Sequence, residues 1–175
     1  EIAEQPLEAL TTVNQIRAEI ARLPQFFQSA AAVMAANTYA QLGDRSQTRA
    51  ALDVFINQPR RTHFLFNFLC LLAEPCLLLG ETALAAELYP VLLPNAEYFR
   101  CDVNCIVVDP PVSHPLGVLA LTMGHLDDAV RHLEDALARC EASGLVCCLA
   151  RIRYHLAQAL LRRAAPGDVT YATTL

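Results

Sequence analysis

The side chains best suited to chemistry cluster in one stretch. Cys101 and Cys105, in CDVNC, are separated by three residues, with Asp102, Asp109 and His114 nearby in the chain. Thiolates, imidazole and carboxylates are the ligands that zinc takes, so the stretch is a candidate metal set. Zinc sites usually offer two tight Cys or His pairs, and here no C-x-x-C or H-x-x-x-H partners the first. The reading is therefore that no metal is held, with Cys101 and Cys105 as the weak candidates.

Other reactive side chains carry less. Cys147 and Cys148 are adjacent, and on a helix they point about 100° apart, so at most one faces the core; both read as packing residues rather than a redox pair. His125, His132 and His155 have no nucleophile or acid at a recognisable spacing, and solvent-facing or hydrogen-bonded structural roles are expected of them. Asp127, Asp128, Glu134 and Asp135 form a solvated face, the first two complementing a helix dipole. There is no G-x-x-x-x-G-K-S/T phosphate loop and no G-x-G-x-x-G, and six glycines leave little to build one from. No catalytic residue, cofactor site or enzyme activity is expected.

Composition sets the frame around these residues. The chain has 175 residues, 54% of them hydrophobic, and a net charge of −5 from 13 basic and 18 acidic side chains. That is enough to bury a core and too apolar for a disordered segment. Basic residues cluster only in short pairs such as Arg60 with Arg61 and Arg162 with Arg163, so no nucleic-acid stripe is present. The longest apolar run, FLFNFLCLLAEPCLLLG, is interrupted by Asn67, Glu74 and Pro75 and falls short of the roughly 20 residues that cross a bilayer. The start, EIAEQPLEAL, is neither a signal peptide nor an initiator Met, which predicts a piece of a longer protein. Seven cysteines, several inside apolar helical patterns, favour a reducing cytoplasm over a disulfide framework.

The elements that position these residues read as helices. Leu7, Leu10, Val13, Ile16, Ile20 and Leu23 recur three or four apart, on one face of a helix that Pro24 ends. Further helices stop at LGD, LGE and MGH, where Gly43, Gly80 and Gly124 are free to take the left-handed conformation that closes a helix. Seven residues before these glycines stand Ala36, Ala73 and Gly117, and five after them Thr48, Ala85 and Ala129, all small. Nine after come Leu52, Tyr89 and Leu133, and twelve after come Phe55, Leu92 and Ala136, so one stripe of each second helix faces a core. The glycines are 37 and then 44 residues apart. Between two of the hairpins, residues 99–112 exceed a tight turn: Pro110 and Pro111 bar a helix, Ser113 can cap the next one, and Ile106, Val107 and Val108 tuck over helix ends.

This register resembles the tetratricopeptide repeat, clearest in SHPLGVLALTMGHLDDAVRHLEDALARCEASG. A narrower resemblance covers about residues 60 to 168: LARIRYHLAQALLRRAAPGD is similar to the A-R-x-x-x-x-L-A-x-x-L-x-x-R helix, followed by GD, in the helical repeat region of large bacterial signalling proteins. Those proteins join a nucleotide-binding ATPase module to a LuxR-type DNA-binding domain, making transcriptional regulators, or to a class III adenylate or guanylate cyclase domain. The motif says nothing about which effector is attached.

The expected architecture is all-α, a tetratricopeptide-like superhelix of antiparallel hairpins in one domain over residues 1–175. A leading helix near 5–23 precedes hairpins near 26–58, 62–98 and 113–142 and a partial repeat over 145–175, with Pro75 disturbing its helix. The resemblance implies a non-catalytic interaction and relay segment of a cytoplasmic regulator. Its expected partners are a protein or neighbouring domains of the same chain, with self-association through apolar helix faces as a second route; neither nucleic acid nor membrane is expected. The alternative is a small-molecule sensor, with an effector held between helices or under residues 99–112.

Overall fold

A computed structural model describes residues 24–57, 66–101 and 108–175. The expected leading helix near 5–23 lies outside them, as do Cys105, Ile106 and Val107. The described residues are mostly helical, and they fall into two compact units, Glu1–Gly80 and Glu81–Leu175, the boundary lying at the Gly80 turn inside the second expected hairpin.

In the first unit, α1 (Gln25–Gln41) and α2 (Arg45–Ile56) pack together as a hairpin. Gly43 takes φ +74°, and the amide of Asp44 reaches back to the carbonyl of Tyr39 at 3.0 Å, closing α1. Asp44 then caps α2, its Oδ1 accepting from the Gln47 amide at 3.0 Å. Val33, Ala36, Thr48, Leu52 and Phe55 are buried. Two shorter helices follow, α3 (Phe66–Leu71) and α4 (Ala73–Leu79), and Arg45 donates to the carbonyl of Leu78. The interruption at Leu72 traces to Pro75. A proline has no N–H for the carbonyl four residues back, that of Leu71, and its ring crowds that turn. The Leu72 amide bonds three residues back to Leu69, and the α-helical ladder resumes with Cys76 on Leu72.

The second unit begins with α5 (Thr82–Leu92) and a 3₁₀ turn, Leu93–Asn95, and continues into a two-stranded antiparallel ribbon, β1 (Phe99–Cys101) with β2 (Val108–Pro111). Residues 99–101 and 108–111 of the expected loop are thus strand. A ribbon has two open edges, so Pro110 and Pro111 cost no ladder hydrogen bond that a central strand would need. Arg100 stands opposite Asp109, and the amides of Val112 and Ser113 bond to the carbonyls of Tyr98 and Ala96, fastening the ribbon's base to the start of the next helix.

That helix, α6 (Ser113–Met123), is buried at every residue from Ser113 to Leu121, which suits its almost wholly apolar sequence. It packs against α7 (Leu126–Ala142), and α7 against α8 (Val146–Arg163), with the short α9 (Asp168–Ala172) on α8. Gly124 and Gly144 close α6 and α7 as Gly43 closes α1: the amides of His125 and Leu145 reach the carbonyls of Ala120 and Cys140, each at 2.9 Å. The core holds Leu116, Leu119, Ala129, Leu133, Ala136, Ile152, Leu156 and Leu160.

Candidate functional site

Cys105 and the side chain of Cys101 lie outside the described residues. Asp109 faces Arg100, with Nη1 and Oδ2 3.6 Å apart, and the largely buried guanidinium also donates through Nε to the Pro110 carbonyl at 3.4 Å. His114 turns inward instead. In the first turn of α6, its Nε2 meets Nδ1 of His155, from the middle of α8, at 3.0 Å, with the rings tilted by 31°. Both imidazoles are buried, and Tyr154 lies beside the second, its ring centroid 5.4 Å away.

Burial pushes His114 well below the usual histidine range, and the neighbouring imidazole of His155 and the guanidinium groups of Arg151 and Arg100 push the same way. It is therefore neutral at physiological pH. Next to it, Ser113 was expected to cap α6. The helix starts after Val112 without a side-chain cap, and the Ser113 Oγ is buried with no hydrogen-bond partner among the described residues. His155 was missed as a partner because 41 residues separate the pair. A signal existed: Ile152, His155, Leu156 and Ala159 lie on one helical face, and all four are buried.

His132 also departs from the polar side expected of it. It is buried in α7, and its Nε2 meets the Tyr89 hydroxyl at 2.8 Å and Nη2 of Arg131 at 3.3 Å. Because a guanidinium only donates, that nitrogen is an acceptor and the imidazole carries its proton on Nδ1. Burial lowers the affinity of His132 for a second proton, as does Arg131. Burial likewise raises the Tyr89 phenol, with the Asp128 charge adding to it. Arg131 is in turn held by Asp128 at 2.7 Å. The basic pair near the end of α8 is similarly occupied: Arg162 donates to the carbonyl of Leu121 in the last turn of α6, and Arg163 to Asp168 and Asp127.

The positions aligned on the glycine turns lie inside. Ala36, Ala73, Ala85, Gly117, Ala129, Leu133 and Ala136 are buried, while Gly43, Gly80 and Gly124 each have positive φ. Tyr89 is the exception on the expected stripe, half-buried where Leu52 and Leu133 are enclosed. No family model, no curated protein and no solved structure matches the chain.

The surface adds one feature. Val146, Tyr154 and Leu161 lie within about 80° of one another around α8 at 100° per residue, and they are 74%, 60% and 56% exposed. Ile152, Leu156 and Leu160, elsewhere around the same helix, are fully enclosed. No described helix is long and apolar enough to cross a membrane.

Proposed function

We propose that the chain is a tetratricopeptide-like, non-catalytic interaction segment of a larger cytoplasmic regulatory protein, binding a protein partner or a neighbouring domain. The exposed apolar stripe of α8 carries this reading. An aromatic and two aliphatic side chains exposed on one face of a helix, with polar neighbours around them, form an apolar patch of the kind that marks an interaction site. Helices closed by the same glycine turn, with small residues buried where paired helices meet, support the repeat reading. The resemblance of LARIRYHLAQALLRRAAPGD to the repeat region of bacterial signalling ATPases supports the regulatory context.

Photo-crosslinking residues at positions 154 and 161 of the intact protein, expressed in its own cell, test the proposal. Adducts with polypeptide are expected at both, with little at Thr173 as an exposed polar control. Background-level crosslinking at 154 and 161, or a stoichiometric micromolar small-molecule ligand that protects both positions, would overturn it.

A further inference from the structure

We propose that His114 Nε2 and His155 Nδ1 form a buried seat for a divalent transition-metal ion of the zinc class. Two nitrogens bound to one tetrahedral zinc at about 2.0–2.1 Å stand roughly 3.3 Å apart. The observed separation is 3.0 Å, so a small opening of the pair admits the ion. The rings come from the first turn of α6 and the middle of α8, beside Leu116, Leu119, Ile152 and Leu156, which are enclosed in the core and hold the two helices in place. Ser113, the next residue, brings a buried hydroxyl with no partner among the described residues into the same turn of α6.

The chemistry favours nitrogen-seeking ions. An imidazole binds metal through the lone pair of its neutral form, and both nitrogens of the pair belong to buried rings. In the metal-free pair one nitrogen donates and the other accepts. On binding, the proton on the donating nitrogen moves to that ring's other nitrogen or to solvent, and its lone pair turns to the ion. Imidazole nitrogens disfavour Mg²⁺ and Ca²⁺, which take oxygen ligands, and suit Zn²⁺, Ni²⁺ or Cu²⁺.

Calorimetry of the full chain with Zn²⁺, in a Cys147→Ser background that removes the one thiol exposed among the described residues, should give one equivalent bound and none of Mg²⁺. His114→Gln and His155→Gln should each weaken zinc at least tenfold, while His125→Gln, at the N-cap of α7, should bind as the parent does. Co²⁺ keeps the test independent of whether the glutamine variants fold. The parent should show the visible d–d bands of a four-coordinate nitrogen and oxygen site. Absence of those bands, a sulfur-to-cobalt charge-transfer band that places the ion on thiols, or equal zinc affinity in parent and folded glutamine variants would each overturn the proposal.

Discussion

Gly117 and Leu133 meet where α6 and α7 cross. A Cβ on Gly117 would lie 2.5 Å from Leu133 Cγ and 3.2 Å from the Ala129 carbonyl oxygen. The near atoms are a side-chain branch point and backbone, neither of which moves freely in a close-packed core. Gly117→Ala gains up to about 1 kcal/mol of helix propensity, but the overpacking costs about 1–3 kcal/mol, so the variant should melt lower. Adding Leu133→Ala makes room for the methyl, so the double mutant should lose less stability than the two single losses added together. Strict additivity would place the close approach elsewhere.

The adjacent positions 128 and 129 separate core from surface. Ala129 is fully enclosed, and Ala129→Leu should cost roughly 1–3 kcal/mol by overpacking. Asp128 is partly exposed and pairs with the exposed Arg131 at 2.7 Å. Asp128→Leu loses an exposed i,i+3 pair worth about 0.3–0.5 kcal/mol. Thermal melts of the two variants should differ clearly. Equal midpoints would displace the register of α7 by one residue.

These contrasts show what the sequence made legible. The helical content, the turns at Gly43, Gly80 and Gly124, and the fact that Cys147 and Cys148 do not face the same way all follow from local conformation and helical period, which act within a few residues. The β1–β2 ribbon did not, because its strands are short and Pro110 and Pro111 mask the second. The break at Leu72 lies three residues before its cause, Pro75, since the missing hydrogen bond belongs to the previous turn. The His114–His155 and Tyr89–His132 contacts join residues 41 and 43 apart, and periodicity gives a residue's face without naming what meets it.

The burial of His114 has a pH consequence. The folded protein refuses a proton at His114 that the unfolded chain accepts near the ordinary histidine pKa of about 6.5. The unfolded state therefore binds more protons below that pH, and stability, complete above it, declines as the solution is acidified. The slope from this group approaches about 1.4 kcal/mol per pH unit. Urea titrations at neutral and mildly acidic pH, with chelator present, should show the decline, and His114→Gln should flatten it. An unchanged slope in that variant would assign the acid sensitivity to other groups.

Thiol reactivity should divide the cysteines of the α7–α8 hairpin. Cys147 is exposed, whereas Cys140 and Cys148 are buried. Burial above all pushes the Cys148 thiol up to about 12, with the neighbouring thiols adding to it. The thiolate is the reacting species, so Cys148 is inert at neutral pH. Maleimide labelling of the native protein followed by peptide mass mapping should modify Cys147 quickly and leave Cys140 and Cys148 unmodified until denaturant is added. Equal labelling of Cys147 and Cys148 would show that the first turn of α8 opens freely.

The GD that follows the L-x-x-R helix has a structural use, which gives the last prediction. Asp168 accepts two bonds from Arg163, at 2.9 and 2.7 Å, and one from the Ala165 amide at 2.9 Å. The clamp spans Ala164, which takes φ +54° at the end of α8, a left-handed conformation that costs a non-glycine residue roughly 1–2 kcal/mol. Ala164→Gly should therefore raise stability by up to about that amount, less the extra freedom glycine gives the unfolded chain. Asp168→Asn should act oppositely, since an amide replaces one acceptor oxygen with a donor and removes the charge. The bond from Arg163 holds the Asp168 carboxyl below its usual range, with the Ala165 amide helping. Its contribution is thus complete above the ordinary carboxylate pKa and is lost as pH falls through the depressed one. Hydrogen exchange reports the clamp directly: the Ala165 amide should be protected in the parent and exchange faster in Asp168→Asn. If both proteins exchange it at the same rate, the turn is held by something other than Arg163 and Asp168.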